Sequence, residues 1–326
     1  MQTTKSSSDT SSIRLIAVIV LYKMQLYNSP TLHTLLDAAA QTSKTDLELT
    51  ILVHDNTPGG QEIGIIPEGI SYQAAPENPG LAKAYNQALS LAKQGGQEWL
   101  LTLDQDTTLP ANFLSQLAKY IRRFSKDPEV GAIVPQVLDG DRNLSPFRFV
   151  AGAFPQWYSR AHVGLSQVAT YAVNSASTLR VSALATIGGY DPMFPLDISD
   201  INTFHHLHQR GFKVFIAGDL PIAHNFSLLN KHKRMTLSRY QALLWDECAF
   251  WDMNMGRLAR LERLLRLGGR VCKDMLADGE ADFRKMAIAE IRRRLSTSRP
   301  KRIAQWTSWA TARINASESS TGTASV

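Results

Sequence analysis

Cysteine is nearly absent from this chain. There are two in 326 residues, Cys248 and Cys272, and neither lies in a CxxC. That excludes a disulfide framework and leaves no zinc pattern. Two reduced, buried thiols are expected instead. Long apolar runs are missing as well. A membrane-spanning helix needs about 20 apolar residues, and the longest run here, around Ile13 to Tyr22, is short and broken by Arg14. The first residues, MQTTKSSSDTSS, are polar with one lysine and lack the apolar core of a secretion signal. No internal repeat is present, and no aromatic RNA-reading motif accompanies the arginines. A cytoplasmic chain with no nucleic-acid partner is the expectation.

What is present looks globular. Hydrophobic residues make up 44% and charged residues 20%, with a formal net charge of +6. The basic excess is concentrated between Lys231 and Arg302, in runs such as RLARLERLLRLGGR and IRRRLSTSRPKR. Such an excess favours an anionic partner: a nucleotide phosphate or an acidic membrane surface.

The pattern along the chain alternates. LIAVIVLY reads as a buried strand, short and β-branched. A helix follows, with Ser29 as cap and Pro30 in its first turn. LELTILVHDNTPGG gives a second strand and a turn, and SYQAAPENPG a short strand and a loop. LAKAYNQALSLAKQGG is a helix closed by Gly95, EWLLTLDQD a strand, PANFLSQLAKYIRRF a helix and VGAIVPQV a strand. Residues 139–167 read as irregular. FKVFIAGDLPIAHNFS reads as a strand, a turn and a second short strand. Strands alternating with helices at short spacing predict an α/β fold: one mostly parallel central sheet with flanking helices, plus a C-terminal helical extension. The expected divisions are a disordered 1–12, a catalytic domain over 13–227, a helical region over 228–312 and a disordered 313–326. In such sheets ligands bind beyond the carboxyl ends of the strands. Three polar loops fall there: HDN, PENPG and DQD.

The order of these motifs resembles a family, the inverting family 2 glycosyltransferases of the A-type fold, rhamnosyltransferase-like. LTLDQDT is similar to its DxD loop and NPGLAKAYNQAL to its donor loop. VNSASTLRVSALATIGGYD resembles the segment that precedes the acceptor side. LDISD resembles its second acidic motif, and IAHNF its later histidine. The similarity spans roughly Arg14 to Phe226.

The chemistry suits those residue types. A departing nucleoside diphosphate carries developing negative charge, which Mg2+ or Mn2+ can neutralise. Mg2+ takes one or two carboxylates and completes its shell with phosphates and water. In an extended segment Asp104 and Asp106 point to the same side and Gln105 away. The resemblance implies that Asp106 ligates the metal directly, that His224 contacts the metal or the diphosphate, and that Asp104 contacts the ribose or a metal-bound water. It implies Asp200 as the base that takes the acceptor proton, a step that needs one positioned acid–base group. Asp197 either caps a helix or meets the acceptor. Pro195 and Asn202 depart from the usual pattern around these acids. Asp55 either reads a pyrimidine ring N–H or closes an Asx turn. Tyr22 is a stacking candidate. Asn78, Gly80 and Asn86 belong to the donor loop, where glycine would allow close backbone approach. Lys83 is either a phosphate contact or solvated. Ser175 and Trp157 are acceptor-side candidates. The three histidines at 205, 206 and 208 read as a partly exposed helix rather than a metal site.

The implied reaction moves a sugar from dTDP-rhamnose or a UDP-sugar to a glycan or lipid-linked acceptor. No QxxRW motif is present, so one or few sugars are transferred per encounter. The basic helices after residue 228 either lie on the inner face of a membrane or serve as a surface or homo-oligomer contact. The alternatives are an inactive copy of the fold used for binding, which would lack the acids, and a nucleotidyltransferase. The latter would show a Gly-rich basic loop after strand one, where this chain has YKMQLYNSP.

Overall fold

The structure is a computed structural model, and it describes residues 12–151, 154–224, 235–276 and 281–319. Its first half follows the alternating pattern: β1 Ile13–Leu21, α1 Pro30–Ala40, β2 Leu47–Asp55, β3 Ile70–Ala74, α2 Leu81–Gly95 and β4 Trp99–Asp104. The short β5 Thr107–Thr108, α3 Phe113–Arg123 and β6 Val130–Asp139 complete that half. The stretch that read as irregular forms β7 Arg142–Ser145, β8 Phe147–Val150, β9 Phe154–Trp157 and β10 Val163–Leu165. Their lengths of three or four residues are too short for periodicity to register. Next come β11 Ser177–Arg180, α4 Val181–Thr186, α5 Ser199–Gln209 and a single long β12 Lys213–His224. The turn expected inside β12 is a register shift against β6, between Ala217 and Pro221.

The main sheet runs β10-β12-β6-β11-β4-β1-β2-β3. β1, β2, β3 and β4 pair in parallel, as do β6 and β12, while β11 is antiparallel between β4 and β6. β1 is buried on both faces, as central parallel strands are. Leu15, Ala17, Ile19 and Leu21 pack toward α1 and α3. Ile16, Val18 and Val20 pack toward α2, α4 and α5.

Four helices follow: α6 Leu237–Asn254, α7 Arg257–Leu276, α8 Ala281–Ser296 and α9 Arg299–Ser319. α9 runs past residue 312, where disorder was expected. The expected disordered ends at 1–11 and 320–326, and the boundary near 228, lie outside the described residues. α6 and α9 share an apolar cluster, with Phe250, Trp251, Trp306 and Ala310, that also takes in Phe194 and Ile198 of the loop before α5. Asp252 of α6 sits at the centre of the helices, 1% exposed. Arg294 donates to it at 2.9 and 3.0 Å and Arg302 at 2.9 Å. Two local expectations change. Cys248 is buried but Cys272 is exposed. α2 is closed by Gly96, in the left-handed region at φ 70°, not by Gly95.

Removing one partner of a buried ion pair strands the other charges, at a cost of about 3–5 kcal/mol. Asp252→Ala is therefore expected to lower unfolding free energy in urea by that amount. A loss below about 1 kcal/mol would show that this cluster does not hold the C-terminal helices.

Candidate active site

Parallel pairing decides where the polar loops go. Leu21 lies opposite Asp55 and Val20 opposite Asp104, so the carboxyl ends of β1, β2 and β4 are level. β12 runs parallel to β6 and brings His224 to the same edge, where it pairs with Thr107 of β5.

The DQD turn is braced from α1. The Thr31 hydroxyl donates to the carbonyls of Asp104 (2.6 Å) and Thr107 (2.9 Å) and accepts from the Thr107 amide (2.8 Å). Ser29 donates to Gln105 O at 2.7 Å. The Gln105 side chain turns toward β1 and accepts from Tyr22 N at 2.7 Å. Asp104 and Asp106, both half-buried, thus stay near His224. His224 Nδ1 is 3.6 Å from Asp106 Oδ1, and its Nε2 is 4.0 Å from Asp104 Oδ2. Ser175 is 1% exposed. It donates to Asp104 and lies 3.4 Å from His224 Nδ1, so the structure makes it a brace of the acid turn and not an open acceptor contact.

Among the described residues no group of three or more His, Cys, Asp or Glu is arranged to hold one ion. Asp106 and His224 alone fit a divalent cation that takes few protein ligands and completes its shell with phosphate oxygens and water.

Asp200 opens α5. Ile198 precedes it in the left-handed region, φ 69°, an uncommon place for a β-branched residue. Packing against the cluster shared with α6 and α9 holds it there. Burial first, and then the charges of Asp104 and Asp197, push the Asp200 carboxyl up to about 7, against a bond from Ile201 N that lowers it. Asp197 is also raised by burial, with Arg239 and Arg313 opposing. It pairs with Arg239 Nη2 of α6 at 3.5 Å.

Several donor-loop residues serve the loop before α5. Leu81 N donates to Pro195 O at 2.6 Å, so that carbonyl caps α2. Gly80 has φ 89°, and a Cβ there would collide with Pro195 O and lie 2.8 Å from Pro195 Cβ. The close approach that needs glycine is to Pro195. Asn86 uses both ends of its amide on one residue: Nδ2 donates to Tyr190 O (2.7 Å) and Oδ1 accepts from Tyr190 N (2.8 Å). It clamps the loop before α5 to α2 through one donor and one acceptor site of its amide. Asn78 is exposed at φ 51°. Lys83 is exposed and 3.8 Å from Glu77.

Asp55 is 1% exposed. Thr57 N donates to Oδ1 (2.9 Å), which is the Asx turn. Gln61 and Tyr72 donate to Oδ2, each at 2.5 Å. Tyr22 is 44% exposed, as a stacking surface requires. Trp157 lies on β9 and lines, with Arg142, Asn143 and Leu144, a hollow of about 410 Å3 that includes none of the acids. His205 is buried, with Tyr171 OH 3.1 Å from Nδ1 and Gln209 Nε2 2.9 Å from Nε2. Burial and the neighbouring histidines lower it to about 4. It is a core histidine on a helix whose other two histidines are more open.

Sequence reasoning missed two phenols. Tyr85 and Tyr190 lie beneath the acids with ring centroids 4.8 Å apart. Both are held well above 10 by burial and by the charges of Asp104 and Asp200. They remain proton donors at any working pH. In the sequence they read as apolar positions of a helix and a glycine turn.

A sequence model of the family described as "Glycosyl transferase family 2" matches residues 18–188, more than half of the chain. The chain belongs to glycosyl transferase family 2. A search of curated proteins found no match. Among solved structures it is similar to GalNAc-T7 with UDP, GalNAc and Mn2+, at 16% identity and TM-score 0.49, over 75% of this chain and 51% of that one. It therefore spans about half of that protein's length. It is similar to S. aureus TarS 1-349 at 14% identity and TM-score 0.49, over 94% and 89%. A third is the mannosyltransferase PcManGT from Pyrobaculum calidifontis in complex with GDP-Man and Mn2+, at 16% and 0.49, over 95% and 87%. The family 2 match covers every strand from β2 through β11 together with Asp104 and Asp106, and ends at Gly188, before Asp197, Asp200 and His224.

Two outcomes test this geometry. Gly80→Ala is expected to destabilise by about 2 kcal/mol or more, because φ and the Pro195 contact both oppose a Cβ. A variant as stable as the wild type would mean the loop moves aside freely. The second concerns Asp200. Its carboxyl is raised in the folded state above the ordinary 3.8. Its protonated form therefore favours folding at low pH, and that contribution is lost as pH rises from about 4 to about 7. Asp200→Asn is expected to melt higher than the wild type at pH 8, with the gap closing toward pH 4. Melting curves with no gap at pH 8 would contradict the buried, charged state.

Proposed function

We propose that this family 2 glycosyltransferase is metal-dependent and inverting. It transfers one sugar, rhamnose first among the candidates, from a dTDP- or UDP-sugar to a hydroxyl of a glycan or lipid-linked acceptor. It works in the cytoplasm, with peripheral contact at the inner face of the membrane. One observation carries the reading: Asp104, Asp106 and His224 gather at one rim, and beside it burial, helped by the charge of Asp104, raises the Asp200 carboxyl to about 7. One site thus offers a place for diphosphate charge and a base poised near neutral pH.

In this reading Asp106 and His224 would hold Mg2+ or Mn2+, and the chemistry such an ion would supply there is neutralisation of charge on the departing diphosphate. Asp104, oriented by Ser175, faces the nucleotide. Asp200 accepts the acceptor O–H proton as that oxygen bonds to the anomeric carbon and the carbon–diphosphate bond breaks on the opposite side. Asp55 takes the pyrimidine N–H in place of the Gln61 amide. Thr57 N and Tyr72 OH keep the carboxylate aligned. Tyr22 covers the base, and Asn78, Gly80 and Lys83 border the donor at the start of α2.

Thermal shift with a panel of nucleotide sugars and Mn2+ tests the donor. dTDP or UDP compounds are expected to raise the melting temperature, and Asp106→Ala to abolish the part that depends on Mn2+. Asp200→Asn is expected to bind donor normally while turnover falls by about 10²–10⁴. In the wild type, kcat/KM should climb with pH through about 7 as the base ionises. Stabilisation only by purine nucleotides, or Asp200→Asn turnover close to wild type, would overturn the corresponding assignment. NMR of the product's anomeric configuration tests inversion.

A further inference from the structure

α7 buries one charge, the guanidinium of Arg263. Its buried side carries Ala259, Arg263, Leu267 and Val271. Arg263 is 1% exposed, ion-paired with Glu247, its guanidinium 5.2 Å from the Trp251 ring centroid. Three of its leucines are left outside: Leu258 at 66%, Leu261 at 55% and Leu265 at 65% exposure. At spacings of three and four residues they share one helix face. The same face continues through Gly269 and Cys272, both exposed, to Met275 at 63%. Single exposed leucines are ordinary, but a contiguous stripe along a helix marks a surface that something covers. Arg257 and Lys273, both exposed, flank it. Arg266 lies 5.6 Å over the ring of Phe154, which is itself 47% exposed on the β8–β9 hairpin. The apolar surface therefore continues beyond the helix.

Charge identifies the occupant. Residues 257–326 contain 15 Lys and Arg against 7 Asp and Glu, whereas residues 1–256 contain 20 against 22. All of the net positive charge thus belongs to the part of the chain that carries the stripe. A second copy seated on the stripe by two-fold symmetry would set the same basic flanks against each other. An anionic lipid surface satisfies both features, since it accepts leucines among its acyl chains and cations at its headgroups. No helix among the described residues is long and apolar enough to cross a membrane, so this contact lies in the interface plane.

We propose that the exposed stripe of α7, Leu258, Leu261, Leu265 and Met275 with Arg257 and Lys273 at its edges, docks on the headgroup region of an anionic bilayer. This names the surface for the peripheral contact proposed above and rests on that reading.

Flotation of the full chain with vesicles tests it, using phosphatidylcholine alone and phosphatidylcholine with phosphatidylglycerol. Binding is expected only with the anionic lipid, and it should weaken between about 0.1 M and about 0.5 M NaCl. Leu261→Glu/Leu265→Glu is expected to bind at least about tenfold more weakly, to melt like the wild type, and to keep nucleotide-sugar binding. The proposal is overturned if the variant floats as well as the wild type, or if neither binds anionic vesicles. It is equally overturned if the variant's melting temperature drops, which would mean that the chain itself covers the stripe, or if light scattering shows a wild-type dimer that the variant dissociates. Intact donor binding in both proteins separates each of these failures from a failure of the glycosyl-transfer reading.

Discussion

The Pro195 carbonyl, seated on the first amides of α2, joins the two halves of the site. The free N–H groups of a helix start are a natural place for an anion. Here the nearest of them is already taken, since Leu81 N donates to that carbonyl at 2.6 Å. Gly80 leaves room for it, and Asn86 grips Tyr190 one and a half turns further along. α2 thereby positions the segment from Gly189 to Ile198, and through it Asp200. The start of α2 and Asp200 thus form a single mechanical unit, so a change at one is felt at the other.

Around that unit the fold concentrates like charge. Asp104, Asp106, Asp197 and Asp200 gather at a rim that is only partly wet. Arg239 and Arg313 offset Asp197, while Ser175, Tyr85 and Tyr190 offer neutral donors or apolar cover. Asp200 has no cationic partner among the causes that set its carboxyl, which is why burial dominates there. The C-terminal helices belong to this arrangement. Arg313 of α9 donates to Met193 O and to Asp246, and Arg239 reaches Asp197 from α6. The loop that carries Asp200 is held from both sides, by α2 and by the helical region.

Much of this was legible in the chain. β1, β2, β4 and β6 are mostly apolar, and α1 is marked by Ser29 and Pro30, because these are local signals of composition or capping chemistry. The DQD turn and the acids of LDISD stood out for the same reason: charge where a strand ends needs a purpose. β7 to β10 were not legible, since strands of three or four residues exist only through their partners. Nor was the service of Gly80 and Asn86 to residues more than a hundred positions away.

The sequence by itself determined the alternation of strands and helices, the rim on which the polar loops fall, and the identity of the acids there. Tertiary structure alone decided that β11 runs antiparallel between β4 and β6, that Ser175 braces Asp104, and that α7 turns Arg263 inward while Leu258, Leu261 and Leu265 stay outside. Local pattern reports which faces of an element differ. Which face is buried depends on what packs against it, and for α7 the partners Glu247 and Trp251 accept a guanidinium where a leucine would have been expected.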